Sequence, residues 1–209
     1  MLALAALAVE TTPRELAMPA VVSPLYTVAG RTEIAPVLGL SLGDAFFQKG
    51  ILGLALQHHF GTLWSVGPYA AVALSRAAPP LIVCNTDADC QSAQAEKLAA
   101  APGNLLLFGG FDVRWAPLYG KLSLLAEDVL HFDAYLALGP AGALYRIDDA
   151  TMRLAPGLHG VLGQRVFLGP RTAIGAELAD LAYIARVRGS TSVQSQLMLN
   201  LTLTWLVGG

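Results

Sequence analysis

The stretch that most constrains this chain is Val193–Val207, in which apolar and polar side chains alternate over fifteen residues. Successive side chains of a β-strand point to opposite faces, so residues two apart share a face. One face is apolar and comprises Leu197, Leu199, Leu201, Leu203, Trp205 and Val207. The other comprises Gln196, Met198, Asn200, Thr202 and Thr204. A strand of about 9–11 residues can cross a bilayer, often with an aromatic residue near the interface. The stretch therefore predicts a membrane-spanning strand whose leucine face contacts lipid.

The composition favours a barrel of such strands over a bundle of helices. Hydrophobic residues make up 55% of the chain and charged residues only 13%, whereas soluble domains carry about 25% charged residues. Beyond the extreme N-terminus no uninterrupted apolar run reaches the roughly 18–20 residues of a spanning helix. The 21 glycines and 12 prolines suit short strands and turns. A net charge of −2 without a basic block gives nucleic acid nothing to bind.

The same alternation recurs along the chain and predicts eight strands, an even number as in bacterial single-chain barrels. The predicted strands are Arg31–Leu42, Leu52–Phe60, Trp64–Ser75, Leu105–Pro117, His131–Tyr145, Met152–Leu168, a seventh around Ile174–Leu178, and Val193–Val207. Residues 43–50 are expected to form a loop. The predicted fold class is all-β, an eight-stranded antiparallel up-and-down transmembrane β-barrel, formed by one domain over residues 25–209.

Charged residues indicate which strand faces line the barrel interior. Seven of them fall on the small-residue faces, and a lipid-facing charge at mid-depth costs about 2–4 kcal/mol. They are therefore predicted to form a lumen network of Arg31, Glu33, Asp112, Arg114, Asp133, Arg165 and Glu177. An eight-stranded interior is just filled by side chains, so this network is expected to plug the barrel. A soluble lipocalin-type barrel, the alternative, would carry its charges outside, and the leucine faces carry none of these seven.

The N-terminal residues resemble a targeting segment. Residues 1–8 are apolar and end in Ala6-Leu7-Ala8, a cleavage-like site, so they are expected to be a signal-peptide remnant. Residues 9–24 would then be a periplasmic lead-in, and both termini would lie in the periplasm of a Gram-negative envelope. With that orientation the second, fourth and sixth connections are periplasmic and should be short.

The fourth connection, Leu118–Leu130, is longer than this rule predicts, and two interpretations remain open. It is either an amphipathic segment at the inner rim or a surface that a periplasmic partner grips, or else an ordinary extension of the fourth and fifth strands beyond the membrane. The candidate partner-contact residues are Tyr119, Lys121, Leu122 and Leu125.

The longest connection, predicted to be extracellular, contains both cysteines. Cys84 and Cys90 are expected to form a disulfide in an oxidising envelope. The oxygen-bearing side chains between them, Asn85, Asp87 and Asp89, alternate as in calcium loops. The turn glycine and the distal bidentate glutamate of such loops are missing, so no metal site is predicted.

Inward-facing histidines raise an enzymatic alternative. His131 and Asp133 share the inward face, and His59 and His159 also point inward. Catalysis would need such a histidine beside a carboxylate or serine. The sequence contains no Gly-x-Ser-x-Gly, metal-ligand cluster or phosphate loop, so neither catalytic residues nor a cofactor are predicted.

Several short motifs carry a resemblance to a known family. They are Glu33-Ile34-Ala35-Pro36, Gly39-Leu40-Ser41-Leu42 with Asp44, Leu52-Gly53-Leu54-Ala55-Leu56, His59-Phe60, Pro117-Leu118-Tyr119-Gly120-Lys121-Leu122-Ser123, His131-Phe132-Asp133, Gly163-Gln164-Arg165 and Glu177-Leu178. In their order and spacing the chain, from about Tyr26, resembles the small outer membrane β-barrel domain proteins of myxobacteria and related deltaproteobacteria.

That resemblance implies an outer membrane barrel without an assigned activity, and some barrels of such envelopes are parts of motility or envelope-spanning assemblies. We therefore expect a non-catalytic structural or anchoring subunit that contacts outer membrane lipids. Other envelope proteins would meet it at the periplasmic rim, the outer loops or the barrel side. A small outer membrane enzyme and a narrow small-solute passage are the alternatives.

Overall fold

The computed structural model describes residues 26–42, 47–77, 104–124, 128–147, 152–187 and 190–208. The predicted signal segment, the lead-in and both cysteines lie outside these ranges. The described residues form eight strands: β1 Thr32–Leu42, β2 Phe47–His59, β3 Trp64–Ala77, β4 Asn104–Leu124, β5 Asp128–Arg146, β6 Met152–Phe167, β7 Thr172–Val187 and β8 Ser190–Val207. No helix in the described ranges is long and apolar enough to cross a membrane.

Each strand pairs antiparallel with the next, and β8 pairs with β1 to close the barrel. The predicted fold class is therefore confirmed. We call the end that holds Tyr26, Gly208 and the turns at 60–63 and 168–171 the terminal end, and the opposite end the loop end.

The alternation seen in β8 sorts side chains between the interior and the exterior. Gln196, Met198, Asn200, Thr202 and Thr204 are buried inside the barrel, as the sequence predicts. Leu201 is 64% exposed on the outer surface, and the rest of its face is exposed as well: Leu197, Leu199, Leu203, Trp205 and Val207. On the terminal-end half of the exterior, Trp64 and Trp115 stack with ring centroids 6.1 Å apart. Together with Trp205 they form an aromatic belt.

Several strands are longer than their sequence patterns predict, most of all β7, which runs from Thr172 to Val187. β2 begins at Phe47, so the loop expected over residues 43–50 is shorter. β4 and β5 stay paired from Leu118 opposite Ala134 to Leu124 opposite Asp128. Residues 118–124 and 128–130 therefore extend β4 and β5, as the strand-extension interpretation predicts. Residues 125–127 lie outside the described ranges. Pro117, which cannot donate to a ladder, falls in a register shift between Trp115 and Leu118.

The residues before β1 cover the terminal end of the interior. Val28 is buried in a small apolar cluster with Phe167, Ala173 and Leu206. Gly30 turns the chain into β1 with a φ of 74°, a left-handed conformation that favours glycine. Its N–H donates a 2.8 Å hydrogen bond to the carbonyl of His59. The barrel interior is thus closed by the chain's own leading residues at this end.

Candidate functional site

The barrel interior contains a cluster of buried ionic groups centred on Glu33, which is only 1% exposed. Arg114 Nη1 lies 2.9 Å from Oε1, and Arg165 also donates to this carboxylate. His59 Nε2 lies 3.0 Å from Oε2. Thr204 Oγ1 donates at 3.4 Å to Oε1. Four strands besides β1 therefore supply partners to one carboxylate, which offsets the cost of burying its charge.

Arg165 joins Glu33 to a second carboxylate. It faces Asp133 across one rung of the β5–β6 ladder, and two of its bonds to that carboxylate are short. The distances are 2.8 Å from Nε to Oδ1 and 2.7 Å from Nη2 to Oδ2. This side-on geometry is the strong form of an arginine–carboxylate contact. Two interior arginines, Arg114 and Arg165, could neutralise Asp133. Arg165 binds it, and Arg114 binds Glu33 instead.

A third carboxylate, Glu177, is held by an aromatic residue. Tyr135 donates its hydroxyl to Glu177 Oε1 at 2.5 Å, and Arg114 Nη2 lies 4.0 Å from the same oxygen. The Arg114 guanidinium carbon also lies 4.2 Å from the centre of the Tyr135 ring. Gly163 gives this ring its space, because a Cβ there would come within 2.3 Å of the ring.

The fourth carboxylate, Asp112, lies beside a histidine and a cavity. Its Oδ2 is 2.8 Å from His159 Nδ1, and the His159 ring stacks on Tyr69 at 4.2 Å. A cavity of about 40 Å³ opens here. Around it, five polar atoms have no hydrogen-bond partner among the described residues: Gln57 Oε1, Tyr69 OH, Asp112 Oδ1, Arg114 Nε and Asn200 Oδ1. The cavity has the size and the polar lining that ordered water needs.

Packed side chains lie on both sides of the cavity along the barrel axis. Toward the terminal end lies the ionic cluster, and beyond it the cluster around Val28. Toward the loop end the interior is filled by apolar and aromatic side chains, among them Leu105, Tyr145, Leu181 and Tyr183. The described interior is therefore filled as an eight-stranded barrel should be, and it has no passage of porin size.

Six of the seven residues predicted for the lumen network lie in the interior. The exception is Arg31, which lies at the terminal end just before β1 and donates to the carbonyl of Pro170 at 2.7 Å. We therefore remove Arg31 from the network. Sequence reasoning missed the parts played by His59, His159 and Tyr135, although their inward faces were apparent. It also missed Lys49, which was predicted to lie in the loop over residues 43–50. Lys49 belongs to β2, is buried and donates to Gln196 at 2.5 Å.

Ser65 is a serine beside the histidine of the ionic cluster. Ser65 is the register neighbour of both His59 and Arg114. Its hydroxyl is buried and has no hydrogen-bond partner among the described residues. A serine nucleophile would need that bond to its base. Within the described ranges no group of three His, Cys, Asp or Glu side chains is placed to hold a metal ion.

Three of the four candidate partner-contact residues lie on β4. Tyr119 is half-buried and its ring is 5.9 Å from that of His131, while Lys121 is exposed. Leu122 belongs to β4, where it pairs with Leu130. Leu125 lies outside the described residues.

Asp180 departs from the predicted sorting of charges. Asp180 lies on the exterior of β7, where its carboxylate accepts a 2.7 Å hydrogen bond from Ser195. The expectation that charged side chains face the barrel interior is therefore wrong at this position. The signal was present in the sequence, since Asp180 is two residues beyond Leu178 on the same face.

The geometry can be compared with known proteins. The chain matches no protein-family model and no curated protein. Among solved structures it is similar to the N-terminal β-barrel domain of Pseudomonas aeruginosa OprF, with 7% identity, 86% of this chain and 98% of that chain covered, and a TM-score of 0.50. It is also similar to the outer membrane protein OprG from the same organism, with 12% identity, 90% and 100% coverage, and a TM-score of 0.50.

The chain shares the fold of these outer membrane barrels. At such low identity the likeness concerns the fold alone. The resemblance to the myxobacterial family stays a prediction. Its motifs contain several members of the ionic cluster, namely Glu33, His59, Asp133, Arg165 and Glu177.

Proposed function

We propose that the protein is an integral outer membrane β-barrel that serves as a non-catalytic structural or anchoring subunit of an envelope assembly. The barrel supplies the anchor, because its exterior is apolar and its polar groups point mostly inward. The part that meets other proteins is the β4–β5 hairpin. With the termini in the periplasm, as proposed, this hairpin extends into the periplasm.

The hairpin is the observation that carries this proposal, because it continues past the barrel wall. β3 begins at Trp64, opposite Trp115, and its last contact with β4 is the 2.8 Å bond from Ala116 N–H to the carbonyl of Leu63. Pairing between β5 and β6 ends at His131 opposite Phe167. The register between β3 and β4 ends at Trp64 opposite Trp115, so β3 does not continue alongside residues 117–124.

A strand edge of this length that β3 does not cover suits strand addition. Eight residues of β-strand span roughly 25 Å at about 3.3 Å per residue. Open edges of that length attract other chains, and natural proteins either block them or use them to bind an extended peptide. Lys121 is exposed on the hairpin, as is Leu118. The partner we propose is therefore a periplasmic segment that adds a strand to β4.

The filled interior supports a non-catalytic role. Glu33, Arg114 and Arg165 are buried and bonded to one another, so they are engaged in the structure of the barrel. The two histidine–carboxylate pairs are buried as well, and a substrate would have to displace packed side chains to reach them. A narrow passage is the second candidate, and the cavity beside Asp112 is the one observation that favours it.

Co-purification tests the proposal. A tagged chain is extracted from its native envelope in mild detergent, and companions are identified by mass spectrometry at defined stoichiometry. In the test variant, residues 122–130 are replaced by Asn-Gly, a turn that lets Lys121 lead directly into His131. The matched control replaces Gly169-Pro170 by Asn-Gly in the turn at the same end.

We expect the companion to be lost from the trimmed variant and retained by the control, while both variants fold. A wild-type barrel that elutes without any companion would falsify the proposal. A companion that binds the trimmed variant equally well would remove the hairpin as its docking site.

A further inference from the structure

Asp180 faces away from the barrel interior, among the leucines of the outer wall. Its neighbours in the chain, Ala179 and Leu181, are 0% exposed inside the barrel. The residues that share its face, Leu178 and Ile184, are exposed on the exterior. The carboxylate therefore belongs to the surface that the barrel presents to the membrane.

Asp180 lies within the apolar band and not at its rim. Its register neighbours are Gly160 on β6 and Leu197 on β8. Exposed apolar side chains flank this row on both sides along all three strands. They are Leu178 and Ile184 on β7, Leu158 and Leu162 on β6, and Val193 and Leu199 on β8. Lipid tails offer no hydrogen bonds there, so a carboxylate needs donors from protein.

The barrel itself supplies little to this carboxylate. Ser195 Oγ donates to Oδ1 at 2.7 Å, and the described residues show no other hydrogen bond or ion pair to Asp180. An ionised carboxylate has about four acceptor sites. One neutral hydroxyl therefore leaves most of its bonding capacity open toward the exterior.

The surface beside Asp180 is shaped for close approach. A Cβ built on Gly160 would have only Leu138 Cδ1 within 4 Å, at 3.9 Å, so the wall is open at this point. Ala182 and Ser195, the next row toward the loop end, are also small. Small residues allow another backbone to approach closely within a membrane, and polar groups between them then bond across the contact.

Other polar groups of the wall lie on the same side of the barrel. Gln164 is exposed on β6, between Ala134 and Ala176 in the register. A depression on the exterior beside it is lined by Gln164, Val166, Ile174, Ala176 and Leu201. On β1 to β5, the described outward positions away from the strand ends are apolar or glycine, for example Leu38, Leu54, Val72, Val113 and Leu138.

We propose that the outer wall of β6–β8 around Asp180 is a lateral docking surface for a membrane-spanning protein segment that brings a cationic or amide donor to the Asp180 carboxylate. The negative charge of Asp180 argues against a second copy of this chain as the partner. A two-fold contact centred here would bring two Asp180 carboxylates together in apolar surroundings. The inference rests on the proposed role as an assembly subunit, and it adds a second contact in the plane of the membrane.

Site-specific photo-crosslinking in the native membrane tests this surface. A benzophenone amino acid replaces Ala182, beside Asp180, or Ala70, an exposed alanine on β3 that serves as the matched control. Each is combined with native Asp180, Asp180→Glu, Asp180→Asn or Asp180→Leu. Heat-modifiable migration verifies that every variant is folded, and the adducts are identified by mass spectrometry.

We expect an adduct with a different membrane protein at position 182 and none at position 70. Its yield should fall roughly threefold to tenfold in Asp180→Leu, the scale of polar contacts between membrane segments, and should persist in Asp180→Glu. Asp180→Asn, which keeps an acceptor oxygen, should fall between the two. Adducts with lipid alone, adducts of two copies of this chain, or equal yields for Asp180→Leu and the native residue would each overturn the proposal.

The two proposals fail in different ways. If the wild-type chain has no companion in mild detergent and no adduct at either position, the role as a subunit is itself wrong. If a companion depends on the β4–β5 hairpin but position 182 gives no protein adduct, only the lateral surface is wrong.

Discussion

The Arg165 guanidinium binds Asp133 side on across one rung of the β5–β6 ladder and reaches Glu33 on β1 with its remaining amine. One arginine thereby joins two buried carboxylates from opposite sides of the interior. Such a residue is expensive to remove, because each carboxylate would be left buried with fewer partners.

Replacing Arg165 tests this dependence. Arg165→Leu should destabilise the barrel by about 3–5 kcal/mol, the cost of leaving buried charge uncompensated. Arg165→Lys keeps the positive charge but loses the two parallel hydrogen bonds to Asp133. It should therefore destabilise the barrel less than Arg165→Leu, but still measurably. Reversible urea unfolding in lipid vesicles measures both. Lys121→Ala, on an exposed side chain, is the control and should change stability by less than about 0.5 kcal/mol.

Two neighbouring residues of β8 test the assignment of faces. Leu201 is 64% exposed and Asn200 is 5% exposed in the interior, where it pairs in register with Glu177. Leu201→Arg should cost about 2–4 kcal/mol and reduce membrane assembly. Asn200→Arg places its charge beside a carboxylate and should be tolerated better. Equal losses in the membrane-inserted fraction would show that the faces are wrongly assigned.

Two glycines of β6 form a matched pair for packing. At Gly163 a Cβ would come within 2.3 Å of the Tyr135 ring, whose hydroxyl holds Glu177. Gly163→Ala should therefore cost about 1–3 kcal/mol, as overpacking does. At Gly160 the nearest atom is Leu138 Cδ1 at 3.9 Å, so Gly160→Ala should be nearly neutral. Urea unfolding of the two variants side by side measures the difference.

Barrel closure can be tested with proline in β8. Leu199 pairs with Leu40 on β1 and Leu178 on β7. Val193 pairs with Ile184 of β7 and lies beyond Leu197, where the described pairing of β8 with β1 ends opposite Leu42. Proline removes a ladder hydrogen bond from a central strand. Leu199→Pro should abolish the migration difference between heated and unheated samples in SDS gels, and Val193→Pro should keep it. Loss of the migration difference in both variants would contradict the conclusion that pairing of Leu199 with β1 closes the barrel.

The strands and their faces could be predicted because each strand shows, within its own sequence, an alternation of apolar and polar residues with a period of two. The chain from Leu197 to Trp205 fixes its faces without knowledge of any other strand. The hairpin was harder. Pro117 suggested a strand end, and the bulge that accommodates it depends on pairing with β5.

The ion pairs could not be predicted. Arg114 and Arg165 are 81 and 132 residues from Glu33 in the chain, and which arginine reaches which acid depends on the stagger of the closed barrel. Arg31 lies just before the first paired residue of β1, where alternation no longer decides the direction of a side chain. Asp180 was missed because the seventh strand was read only as far as Leu178.

The position of Glu33 has a consequence for barrel closure. It lies on the first strand, yet its arginine partners come from the fourth and sixth strands and its threonine partner from the last. A sheet of the first three strands would therefore hold a carboxylate whose cationic partners have not arrived. The bonds of this carboxylate are complete only when β8 has joined β1, so they stabilise the closed barrel more than any partial sheet.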